Sequence, residues 1–163
     1  MPVVSNTSPV LNLAIIEKLE LLHQQCQQVI IPSAVLEELR IDEDLPGSAA
    51  IRAAIDSGWL QTRDADNSAL IKVLQKDLDK GESEAIALAL QINASLLLMD
   101  ERDGRSMAKS LGIKVSGILG ILCRAKQQGK NISLRNVMDD LRTRAGFKIH
   151  EKLYTQIIDT SGE

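Results

Sequence analysis

Ser95-Leu96-Leu97-Leu98-Met99-Asp100 is the stretch on which the fold turns. After Ser95 the run is apolar without alternation, and it stops at a carboxylate. A strand with one wet face alternates polar and apolar residues. This one does not, so it reads as a strand buried on both faces, the condition of a parallel sheet covered by helices. Working outward, Val3-Val4-Ser5, Val29-Ile30-Ile31-Pro32 and Lys114-Val115-Ser116 read as short strands of the same sheet. Trp59-Leu60-Gln61-Thr62 reads as an edge strand.

Helical patterns separate these strands. Ser8 at the N-cap and Pro9 in the first turn open a helix through Leu11, Leu13 and Ile15. A second helix runs through Leu19, Leu21 and Leu22. Ser33 caps a helix that carries Val35 and Leu39 one turn apart. Asp42 to Gly47 is a loop, and Ser48 to Ser57 is helical and ended by Gly58. Gly81 opens a helix that reaches about Ile92. Arg102 to Leu111 is a helix with Gly104, Met107, Ala108 and Leu111 on one stripe. Ile118, Ile121, Leu122 and Ala125 mark a helix that Gly129 closes. Ser133 caps a helix with Leu134, Val137, Met138 and Leu141, and a last amphipathic helix carries Leu153, Ile157 and Ile158. The fold class is therefore α/β, a three-layer α/β/α sandwich around a mostly parallel sheet. The 163 residues show no repeat and no Gly-, Pro- or Ser-rich linker, so the chain reads as one domain, 1–163, with the helices from about 118 to 158 included.

Composition narrows the function classes. With 44% hydrophobic and 25% charged residues the chain is globular, which excludes disorder and collagen-like repeats. No apolar run approaches the roughly 18 residues of a membrane span. Met1-Pro2-Val3-Val4-Ser5-Asn6 has no basic n-region and no long apolar region, so no signal peptide is expected and the expected location is the cytoplasm. Cys26 and Cys123 stand far apart in no metal spacing, which suits buried thiols. Aromatics are 2% of the chain (Trp59, Phe147 and Tyr154), which argues against nucleic-acid modules that stack bases on exposed rings. The two histidines, His23 and His150, argue against a His-rich zinc site or a Ser-His-Asp triad. A net charge of −3 gives no global attraction to nucleic acid, so an RNA partner has to be met by a local basic patch or through metal ions.

In an open parallel sheet, ligands bind beyond the carboxyl ends of the strands. Asn6, Thr7 and Ser8 follow the first strand. Glu37 and Glu38 lie on the helix after the second. Asp100, Glu101 and Asp103 follow the central apolar strand, and Glu82 and Glu84 begin the helix that feeds it. The set is all oxygen, which suits Mg²⁺ or Mn²⁺. Acids in a first helical turn are also stabilised by the helix dipole, by about 0.3–1 kcal/mol, with no ligand at all. Glu82 shares its face with Ala85, Ile86 and Ala89, whereas Glu84 faces the more mixed Ala87, Leu88 and Gln91. A carboxylate aimed at apolar surroundings needs a cation or donor, which favours Glu82 as the ligand. Glu38 adjoins the Val35–Leu39 stripe and is favoured over Glu37 for the same reason. Asp100 either ligates or caps the helix that follows, and Asp103 is a second ligand or a surface acid. Arg102, Arg105 and Lys109 form a basic stripe that suits a phosphate backbone or is simply a solvated face. His23 and His150 read as core-edge or surface residues. Gly47, Gly104 and Gly117 form no nucleotide fingerprint.

Four segments occur in order: Val3-Val4-Ser5-Asn6-Thr7-Ser8-Pro9, Ile31-Pro32-Ser33-Ala34-Val35-Leu36-Glu37-Glu38-Leu39, Gly81-Glu82-Ser83-Glu84-Ala85-Ile86-Ala87-Leu88-Ala89 and Leu97-Leu98-Met99-Asp100-Glu101-Arg102. Together they resemble the PIN-domain family, in the branch of VapC-like toxins of prokaryotic toxin–antitoxin pairs. The resemblance implies an α/β/α fold and a metal-dependent ribonuclease acting on single-stranded RNA, usually a homodimer, with an antitoxin protein as partner. It implies that acids converge at the carboxyl edge of the sheet. Carried over, these fall on Glu38, on Glu82 (or Glu84 if two residues are skipped) and on Asp100, with Asp103 as a helper. The first family position is an aspartate, and here it is Asn6. An amide oxygen still ligates Mg²⁺ but adds no charge. The implied chemistry is attack on phosphorus by a metal-activated water. Asn6 would position that water or a substrate phosphate, with Ser8 hydrogen-bonded to it.

Overall fold

The computed structural model describes residues 2–163. Five strands, β1 (Val3–Ser5), β2 (Val29–Ile31), β3 (Leu60–Thr62), β4 (Leu96–Leu98) and β5 (Val115–Ser116), form one sheet in the order β3-β2-β1-β4-β5. Every neighbouring pair is parallel. The connections run through α1 (Thr7–Ile15) and α2 (Leu19–Cys26), then α3 (Ser33–Leu39) and α4 (Ser48–Asp56), then α5 (Ser68–Leu74) and α6 (Lys80–Gln91), then α7 (Arg102–Ser110). After β5 come α8 (Ile118–Gln127), α9 (Leu134–Arg144) and α10 (Glu151–Ser161).

The unalternated runs are explained by two cores, one on each face. Val3, Val29, Ile31 and Leu98 point into a core shared with α1 to α4 and α8 to α10. Val4, Leu97 and Met99 point into a second core with Leu74 of α5, the apolar stripe of α6 and Ala108 of α7. Side chains alternate along a strand, so with helices on both sides β4 has no position left for a polar residue, whereas the edge strand β3 carries exposed Gln61 and Thr62. No helix among the described residues is long and apolar enough to cross a membrane.

Several helix starts differ from the sequence expectation. Helix α1 is entered at Asn6, so Ser8 is its second residue and not its cap. Pro9 still falls within the first turn, where its missing N–H has no intrahelical partner to lose. Helix α3 is entered at Pro32, and the Ser33 hydroxyl turns to Asp64 instead of capping. Helix α6 starts one residue before Gly81 because Asp79 caps it. Helix α5 was not apparent in the sequence; its cap is Asn67, whose side chain accepts from Leu70 N at 3.0 Å. Ser133 does cap α9, accepting from Asn136 N at 3.3 Å.

Leu98 is fully buried at the end of β4. Leu98→Ala is expected to lower the unfolding free energy in urea by about 2–5 kcal/mol. Leu111→Ala, at a site 40% exposed, is expected to change it by less than about 1 kcal/mol.

Candidate active site

Sheet order places the site. The chain builds outward from β1 to β2 and β3, then returns to add β4 and β5 on the other side. The order reverses between β1 and β4, and a crevice opens beyond the carboxyl ends of those two strands. Ser5 is in register with Leu98. The next rung, from Asn6 N to Leu98 O at 2.9 Å, carries the ladder one residue past β1. Asn6 is thereby fixed by backbone pairing at the floor of the crevice.

Three acids from separate segments approach this floor. The Glu38 carboxylate accepts from the Thr7 hydroxyl through Oε2. Both its oxygens lie against Gly81, where an added Cβ would sit 2.5 Å from Oε1 and displace this carboxylate from its present place. Asp100 accepts from Ser8 Oγ at 3.2 Å and from the Ile118 backbone N–H at 2.8 Å. Glu82 accepts from Asp79 N at 3.2 Å, and Asp79 accepts from Glu82 N at 2.8 Å, a reciprocal capping box. The other oxygen of Glu82, Oε2, faces Gly104 and Met99; a Cβ on Gly104 would lie 3.0 Å from it and 2.7 Å from Met99 Sδ. Met99 links this acid to Asn6, whose Nδ2 donates to its sulfur at 3.4 Å.

Asn6 Oδ1 is buried with no hydrogen-bond partner. Leaving such an acceptor unmet costs roughly 1–3 kcal/mol. Nor do Glu38 Oε1 and Glu82 Oε2 accept a hydrogen bond among the described residues. These donors are hard oxygens and the orphaned amide oxygen is another, a chemistry that fits Mg²⁺ or Mn²⁺. Among the described residues no three His, Cys, Asp or Glu side chains already stand in cation-binding geometry.

Electrostatics point the same way. Burial, and then the neighbouring Asp79 carboxyl, push Glu82 up to about 7. Burial also raises Asp100, against the Ile118 N–H, the Ser8 hydroxyl and the Arg105 guanidinium, which lower it. Glu101 adds negative potential to both. Crowded, desolvated carboxylates of this kind are stabilised by a counter-charge.

Other candidates lie elsewhere. Glu84 is tied to α3, where Oε1 accepts from Ala34 N at 3.1 Å, a tertiary cap. Asp103 is exposed in the first turn of α7. Arg102 and Lys109 are exposed, but Arg105 is half-buried and donates to Met99 O at 2.9 Å, so the three do not form one solvated stripe. Glu37 and Glu38 are both exposed; Glu38 differs in its hold on Thr7. His23 stacks on Trp59 at 4.7 Å, and His150 caps α10. Cys26 and Cys123 are free and half-buried. The sequence reading placed Thr7 at this edge without a role, and missed Asp79 and Asn12, the latter donating to Ser8 Oγ at 3.0 Å. Only Asp79 carried a usable signal, the D-x-x-E spacing to Glu82.

The family DUF3368, PIN domain, matches residues 2–163. The chain belongs to the PIN-domain family. PIN domains are typically nucleases and generally use divalent metal ions, so the family supports a nuclease-type function. Among solved structures the chain is similar to a PilT N-terminus domain protein from the hyperthermophilic archaeon Sulfolobus solfataricus P2. The TM-score is 0.54 at 23% identity, covering 77% of this chain and 93% of that one, a likeness of fold. No curated protein is significantly similar in sequence.

Glu82 holds its proton more tightly in the folded than in the unfolded chain. Without a divalent ion, this PIN domain is therefore expected to lose stability as pH rises from 4.5 to about 7, and then to level off. Glu82→Gln, which keeps the capping geometry, is expected to flatten that part of the melting-temperature profile. An unchanged slope in the variant would assign it to other groups.

Proposed function

We propose that the protein is a metal-dependent endoribonuclease hydrolysing phosphodiester bonds in single-stranded RNA. Glu38, Glu82 and Asp100 are the carboxylates of its cation site, and Asn6 is the neutral oxygen beside them. The observation that carries this reading is the buried, unpartnered Oδ1 of Asn6 at the edge where these acids approach. Mg²⁺ or Mn²⁺, when bound, supplies Lewis acidity and lowers the pKa of a coordinated water. The protein's part is to fix the donors. Thr7 and Ser8, adjacent on the first turn of α1, hold Glu38 on one side and Asp100 on the other. Asn12 fixes the Ser8 hydroxyl in turn. Asn6 Oδ1 serves as a ligand or as the acceptor that orients the attacking water. The resemblance to VapC-like enzymes extends the proposal to the toxin of a toxin–antitoxin pair.

A binding module with weakened catalysis is the second reading. It is favoured by the uncharged Asn6 and by the Met99 thioether, a soft atom that is a poor partner for Mg²⁺.

Labelled single-stranded RNA incubated with Mn²⁺ is expected to be cleaved, and EDTA or the pair Glu38→Ala and Asp100→Ala to abolish cleavage. Asn6→Asp is expected to raise Mn²⁺ affinity in calorimetry about tenfold by adding a charged ligand. Retained RNA binding without metal-dependent cleavage would favour the binding module. An Asn6→Asp protein with unaltered Mn²⁺ affinity would remove Asn6 from the site.

A further inference from the structure

A second cavity opens on the other side of Asp100. It measures about 410 Å³, and its walls include Asp100, Arg105, Phe147, Lys148, His150 and Leu153. That volume lies within the roughly 300–1,000 Å³ of small-ligand sites. We propose that this cavity is the nucleotide subsite of the ribonuclease, holding one base and one phosphate beside the scissile bond; the inference rests on the ribonuclease reading above.

Charge is the first argument. The chain carries −3 overall, yet Asp100 is the single acid among the lining residues, against the cations Arg105 and Lys148. Lys148 forms no ion pair among the described residues. His150 accepts from Lys152 N through Nδ1 at 3.3 Å. A neutral imidazole so engaged carries its proton on Nε2 and remains a donor at that atom. Arg105 acts as a positioning residue: its Nη1 donates to Met99 O at 2.9 Å, and it lies beside the Asp100 carboxylate.

Aromatic placement is the second. Trp59 is stacked on His23, and the Tyr154 ring is covered by the Arg142 guanidinium at 4.2 Å. Phe147, the remaining aromatic, lines the cavity. A flat ring next to cations matches a nucleotide, a planar base joined to an anion. An acidic peptide would meet Lys148 and His150 but bring a planar group to Phe147 only where its sequence supplies one, whereas every nucleotide carries one.

Preorganisation is the third. The segment from Gly146 to His150 is irregular but pinned. Phe147 N donates to Leu141 O at 2.9 Å, Arg142 donates to Ile149 O at 2.8 Å, and Ile149 is buried. A site held in place before binding loses little entropy on binding.

The test uses the full chain in EDTA, so that binding is read apart from cleavage. A fluorescein-labelled single-stranded RNA about eight nucleotides long is titrated and followed by anisotropy. Phe147→Leu and Lys148→Glu are each expected to weaken binding about tenfold. The melting temperature of Lys148→Glu and the Mn²⁺ affinities of both variants are expected to match the wild type. Lys148→Glu, at an exposed position, keeps the test open if Phe147→Leu disturbs packing. Equal RNA affinity in wild type and Lys148→Glu would overturn the subsite and leave the ribonuclease reading standing. Wild type that binds no RNA, with or without Mn²⁺, would overturn both. An acidic peptide that binds more tightly than the RNA, and weakens in the same variants, would also overturn the subsite.

Discussion

The pairing of β1 with β4 is the contact on which the remaining geometry depends. These strands meet in parallel, with Ser5 opposite Leu98, and the ladder continues for one more rung at Asn6. Both strands are buried, so a slip of one residue would drive Leu97 and Leu98 into each other's cores. Register is therefore strongly specified by hydrophobic burial. That same register sets Asn6 and Asp100 just beyond the ends of neighbouring strands, in one crevice. A site needing placement to within about half an ångström is thus built on strand ends whose register is fixed by burial.

Around that floor, short polar side chains distribute the acids. Thr7 and Ser8 are consecutive, so on a helix they point in directions about a third of a turn apart. One reaches Glu38 from α3, the other Asp100 after β4. Gly81 and Gly104 give close approach to Glu38 and Glu82, where any Cβ would collide. The outcome is a set of carboxylates held at the edge of the sheet at a cost in desolvation, to which Asp79 adds for Glu82 and Glu101 adds for both, and Glu82 and Asp100 hold their protons more tightly as a result. Proteins keep such strain where function requires it.

Much of this was legible in the sequence. Strands β1, β2 and β4 announce themselves because strands buried on both faces cannot alternate, and β3 and the half-buried β5 were legible as short strands at the two edges. The site was legible as far as chain order allowed, since polar residues after buried strands fall at the carboxyl edge in any doubly wound sheet. Helix caps were less legible. Ser8 and Ser33 look like caps, but their hydroxyls are drawn to Asp100 and Asp64 by tertiary proximity that local patterns do not encode. The choice between Glu82 and Glu84 had the same character. What separates them is Ala34, 50 residues from Glu84 in sequence. Nor does any periodicity bring Phe147 and Lys148 beside Asp100; that follows from how α9 and α10 pack after the sheet is complete.

The central claim is that Asn6, Glu38, Glu82 and Asp100 share one divalent ion. A crystal soaked in Mn²⁺ and measured for anomalous scattering tests it most directly. The expected result is a peak beyond the carboxyl ends of β1 and β4, about 2.0–2.4 Å from oxygens of at least two of those carboxylates. No peak there, or manganese bound only at acids outside the crevice, would contradict the account.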